Sequence, residues 1–108
     1  MANTLTFSRF GKLAGEFTAT LNTFTSGVAS AETSIPSDLQ SLIEDHNNPF
    51  LIAINSVSSG GSAPALATFE ATYDSTTHKL QVQVIDKETT PATTVVKGKL
   101  VVLHSIIY

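Results

Sequence analysis

At 108 residues the chain is long enough for one hydrophobic core and too short for two ordinary domains, so a single β-rich domain over 1–108 is expected. Hydrophobic residues make up 42% and charged residues only 14%, against roughly 25% charged in typical soluble domains, which leaves the surface to Thr, Ser and Asn and suits a protein held against a partner or an ordinary secreted β-domain. The formal net charge of −3, with no basic run to meet a row of phosphates, argues against nucleic acid, and the lack of cysteine excludes disulfides, thiolate chemistry and cysteine-based zinc sites.

From Thr4 the text "TLTFSRF" alternates Leu5 and Phe7 with Thr4, Thr6 and Ser8, the period of a strand with one wet face. Gly11 punctuates it, and "GEFTATLNTF" places Phe17, Ala19 and Leu21 opposite Glu16, Thr18, Thr20 and Asn22, so the first third predicts a hairpin. The small, polar stretch 25–34, "TSGVASAETS", shows no period and reads as a loop. A helix is expected over about 36–46, because Leu39, Leu42 and Ile43 share one face. Pro36 opens it, and Ser37 with Gln40 fits the capping-box spacing. Two to three turns do not stand alone in water, so that face must dock on a sheet.

"FLIAINSV" (50–57) is a nearly continuous apolar run that predicts a central strand buried on both faces. "SSGGSAP" (58–64) reads as a loop without the following helix or lysine of a phosphate cradle. "ATFEATYD" and "KLQVQVID" are the clearest alternating pair, bringing Phe69, Ala71 and Tyr73 to one face and Leu80, Val82 and Val84 to another. After the polar stretch "DKETTPATT", "VVKGKLVVLHSIIY" reads as one long strand with a bulge or bend at Gly98, apolar enough to require cover from its own sheet or from a neighbour. The sum is a mainly β fold, an antiparallel β-sandwich or barrel with one short α-helix.

Titratable groups gather in "YDSTTHK". Asp74 there opens a turn whose backbone N–H groups its carboxylate can cap, and Asp74, His78 and Lys79 form neither a dyad nor a metal set. His46, His78 and His104 share no ligand spacing. His46 suits the carboxyl end of the helix, where a cation complements the dipole, and His104 suits a half-buried strand position. Glu44 and Asp45, adjacent on the helix, read as a solvated face, as do Asp86, Lys87 and Glu88 in a loop. No serine lies in a nucleophile elbow. No enzyme, no metal and no cofactor is therefore expected. No stretch approaches the roughly 20 apolar residues of a membrane span, and "MANTLTFSRFGKLAG" lacks the apolar run of a signal peptide, so synthesis in the cytoplasm and no membrane partner are expected.

The order of these features, "TFSRFGKLAGEFTATL", then "PSDLQSL", then "YDSTTHKLQV" and a closing apolar strand, resembles small virion proteins of tailed bacteriophages, the capsid decoration or cement proteins. Pro36, Asp38, Leu39, Tyr73, Asp74, Lys79 and Leu80 carry the likeness, while "TSGVASAETSI" departs from the glycine-rich turn that often precedes the proline. The resemblance implies a non-enzymatic structural protein that stabilises the phage head by bridging major capsid subunits. It would be made in the host cytoplasm, reside on the virion surface and act as a homotrimer. Intersubunit burial is expected at Phe7, Phe10, Ile106, Ile107 and Tyr108. A second reading is a head- or tail-fibre adsorption module that binds host glycan or receptor; with Phe50 and Tyr73 assigned to the core, it has only Tyr108 as an exposed aromatic. A third, a small hydrolase or metal enzyme, needs distant residues to meet.

Overall fold

Period-two alternation becomes two antiparallel sheets. A computed structural model describes residues 2–59, 68–86 and 93–103. In chain order the elements are β1 (Thr4–Arg9), β2 (Ala14–Leu21), β3 (Val28–Ser34), α1 (Ser37–Glu44), β4 (Phe50–Ser59), β5 (Thr68–Asp74), β6 (Lys79–Ile85) and β7 (Thr94–Val102). One sheet runs β1-β2-β7-β4 and the other β3-β6-β5, with all described neighbours antiparallel. The sheets face each other over one core, in which Phe17, Ala19, Leu21, Val96 and Leu100 meet Ala29, Leu80, Val82 and Val84. This is the expected β-sandwich with one short helix, and both predicted hairpins form, β1–β2 and β5–β6.

Three expectations about strands are corrected. The stretch taken for a loop over 25–34 contains β3, paired with β6 in register from Val28 opposite Ile85 to Ser34 opposite Lys79. Its start is a tight reversal in which Thr25 and Val28 exchange backbone hydrogen bonds at 2.8 and 3.0 Å across Ser26 (φ 52°) and Gly27 (φ 80°). Two left-handed residues are what a two-residue turn matched to strand twist requires. Its only buried residues are Ala29 and Ala31, and alanine gives a weak strand signal.

β4 is the second correction, because it lies at the edge of its sheet rather than at the centre. Leu51 and Ala53 face water while Phe50, Ile52 and Ile54 are half-buried. The central position belongs to β7, flanked by β2 and β4, so its apolar residues over 94–102 take their cover from the protein's own sheet. The third concerns Gly98: β7 runs past it without a bulge against β2, and the irregularity falls on β4, between Ile54 and Ser56. Gly98 is needed for space, since a Cβ there would collide with the Phe17 ring and the Ala53 carbonyl.

α1 closes the end of the sandwich where β1, β5 and β7 finish, burying Leu39 and Ile43, with Ile35 and Leu42 alongside. Burial of a leucine is worth roughly 1.5–3 kcal/mol, enough to hold two turns that propensity alone would not. The capping box does not form. Pro36 is the N-cap residue, Ser37 makes no cap bond, and Gln40 instead donates to the Ile35 carbonyl at 3.2 Å. At the opposite end, Asn3 fastens the start of β1. Its Oδ1 accepts the N–H of Asn22 (2.7 Å) and of Thr23 (2.8 Å), and its Nδ2 donates to the carbonyls of Thr23 (3.0 Å) and Ser30 (3.2 Å).

Candidate functional site

Glu44, at the end of α1, was expected to face solvent and does not. Its side chain is only 18% exposed, because the helix lies beside the β5–β6 hairpin and turns this carboxylate toward it. The Tyr73 hydroxyl donates to Oε2 in a short hydrogen bond, and His78 Nδ1 lies 2.7 Å from Oε1 and 2.9 Å from Oε2. An ionised carboxylate can only accept, so Nδ1 carries the proton. The hydrogen bonds from Tyr73 and then His78 hold the Glu44 carboxyl below its usual range, while burial and the nearby carboxylate push the Tyr73 phenol up.

The hairpin that presents these groups is built as the sequence implied. Asp74 Oδ1 accepts the Thr76 N–H at 2.8 Å, its carbonyl accepts the His78 N–H at 2.8 Å, and His78 takes a left-handed conformation (φ 61°) that turns the chain into β6. The cluster therefore joins helix to hairpin. Both carboxylate oxygens are engaged by protein donors. Among the described residues no three His, Asp or Glu side chains gather as a metal set. His46 sits exposed beyond the helix end, and His104 lies outside the described residues.

A second polar tie spans the same end. Arg9 reaches from β1 to Asp38 in the first turn of α1 (Nη1 to Oδ2, 2.6 Å) and donates to the carbonyls of Gly11 and Lys12 at 2.8 and 2.7 Å. The guanidinium holds the Asp38 carboxyl below its usual range. Beside this tie runs an open groove of about 760 Å³, floored by Leu13 and Leu42 and rimmed by Arg9, Lys12 and His46. Arg9 is fully engaged there in holding the β1–β2 turn to the helix.

Register orders the outer face of the four-stranded sheet into rows. Ala14 stands opposite Val101 and Val101 opposite Leu51, while the Phe10 N–H donates to the Ala14 carbonyl, so Phe10, just past the end of β1, extends an apolar row of Ala14, Val101 and Leu51 across β2, β7 and β4. Phe10 and Leu51 are 56% and 59% exposed, and Leu103 continues the patch beyond β7. The next row is Ser8, Glu16, Lys99 and Ala53, with Lys99 Nζ 5.9 Å from the Phe10 ring centroid. Hydroxyls from Thr6, Thr18 and Ser56 dominate the third, around Lys97.

Of the residues expected at an interface, Phe10 lies exposed in that row. Phe7 turns inward and half-buries its ring over Gly15, while Ile106, Ile107 and Tyr108 fall outside the described residues. Sequence reasoning missed Leu51, Val101 and Ala14, because only strand order and register reveal that they share a row. Comparison with protein families, with curated proteins and with solved structures finds no match to this chain.

Proposed function

We propose that this protein is a capsid decoration, or cement, protein of a tailed bacteriophage: a non-enzymatic virion component that binds the outside of the head as a trimer and bridges major capsid subunits. The observation that best supports this reading is the outer face of the β1-β2-β7-β4 sheet. An apolar row of Phe10, Ala14, Val101 and Leu51, backed by rows of hydroxyls and a Glu16–Lys99 pair, offers a broad, weakly charged surface for burial against another protein. The ordered likeness of Pro36, Asp38, Leu39, Tyr73, Asp74, Lys79 and Leu80 to the cement proteins points the same way. Closed threefold symmetry would let such a patch engage three subunits at once, gaining avidity without new contact types.

Heads assembled without the protein should rupture at lower temperature or higher salt than decorated heads, and equal survival of the two would sink the reading. Phe10→Asp and Leu103→Asp alter exposed side chains, so both variants should melt like the wild type. Each should bind undecorated heads about tenfold more weakly or worse, as expected for an apolar anchor at a protein interface.

A further inference from the structure

We infer that the outer edge of β4 is a pairing surface for a second copy of this chain, residues 50–54 of two molecules adding to each other as antiparallel strands about a twofold axis at Ile52. One side of β4 is paired with β7 along its whole length, and among the described residues nothing bonds to the other. The phase of the ladder follows from its end. The Leu103 N–H donates to the Pro49 carbonyl at 2.7 Å, and these two residues are the next pair outside Phe50 and Val102. Hydrogen-bonded pairs recur at every second residue, so Leu51 with Val101 and Ala53 with Lys99 bond inward. The N–H and C=O groups of Phe50, Ile52 and Ile54 therefore point away from the sheet. The Val102 N–H, directed to the Leu13 carbonyl on the β2 side, fits the same phase.

The usable edge is bounded at both ends. Pro49 has no N–H to offer, and the register breaks between Ile54 and Ser56. What remains is a segment symmetric about Ile52. Antiparallel self-pairing places Ile52 opposite its counterpart, Phe50 opposite Ile54 and Leu51 opposite Ala53, so every outward residue meets another outward residue. Phe50, Ile52 and Ile54, half-buried within one molecule, would complete their burial against the partner.

Charge favours a second copy at this edge over the others. The remaining described sheet edges each carry charge: Arg9 on β1, Glu32 on β3, and Glu70 and Asp74 on β5. Such charges are how sheets commonly deter unwanted pairing. β4 carries none, and no proline, over Phe50–Ser59, so like charges do not oppose self-association even though each chain has a net charge of −3. The contact is twofold and uses neither Phe7 nor Phe10, so it does not depend on the capsid reading.

Sedimentation of the full chain from micromolar to millimolar concentration, with amide exchange followed residue by residue, tests this. The expected result is a reversible dimer, with the amides of Ile52 and Ile54 gaining protection as concentration rises while those on the β5 edge do not. Ile52→Pro removes an N–H that no group among the described residues accepts, so the variant should fold yet raise the dimer Kd about tenfold or more. Ile52→Lys sets two ammonium groups face to face and should do the same, less so in high salt. If either variant folds poorly, the wild-type exchange data still decide. A wild type that stays monomeric, protection of Ile52 that is independent of concentration, capture of a foreign extended peptide without self-association, or an oligomer undiminished in both folded variants would each overturn the inference.

Discussion

Glu44 ties the end of α1 to the β5–β6 hairpin through Tyr73 and His78, and because it titrates at the acid end of the pH scale and Tyr73 at the alkaline end, its contribution has a readable pH signature. Its carboxyl is held below the ordinary value of 4.5, first by Tyr73 and then by His78. Stability from this source is therefore present above about pH 4.5 and is lost as pH falls through the lower folded value. Tyr73 behaves in mirror image. Burial first, and then the carboxylate, raise its pKa above the ordinary 10.0, so its contribution is present below pH 10 and is lost as pH climbs through the folded value. The melting midpoint should fall on both flanks. Glu44→Gln should flatten both declines, leaving on the acid side the share that belongs to Asp38, whose carboxyl Arg9 also depresses. Tyr73→Phe should flatten the alkaline flank most. Profiles of wild type and Glu44→Gln that stay parallel across the range would show that the carboxylate is not engaged in solution.

α1 depends on what it covers rather than on how it begins. Leu39→Ala removes a fully buried side chain and should cost about 2–5 kcal/mol in chemical denaturation. Ser37→Ala should change stability by only a few tenths, since Ser37 makes no cap bond. Comparable losses from the two variants would mean that the helix is held at its start. Strands whose inward residues are large were legible in the sequence: Phe17, Ala19 and Leu21 on β2, and Leu80, Val82 and Val84 on β6, alternate too regularly to be read otherwise. β3 was not, because Ala29 and Ala31 are small enough to resemble a loop, although the turn pair Ser26–Gly27 was the available signal. The apolar run of β4 misled about position, since an edge strand that keeps Leu51 on its wet face reads as a buried centre. Glu44 was hidden for a related reason: its partners lie 29 and 34 residues away, a separation no local pattern records.

At the scale of the whole molecule the sandwich is closed by pairings remote in sequence. β2 joins β7 with Ala14 opposite Val101 and Leu21 opposite Thr94, and β1 reaches the rest of its sheet only through β2. Loops this long must close before such pairings return any stabilisation, so refolding followed by stopped flow should take about milliseconds to seconds rather than microseconds. Microsecond refolding would imply that local hairpins carry most of the stability. Both ends of the sandwich are fastened by polar side chains, Glu44 and Arg9 at the helix end and Asn3 with Asn22 at the other. Asn3 makes that second end vulnerable to chemical ageing. Its amide nitrogen faces the Thr23 and Ser30 carbonyls, so hydrolysis to aspartate would turn a donor into an acceptor against two acceptors and cost the start of β1 its side-chain bond to β3.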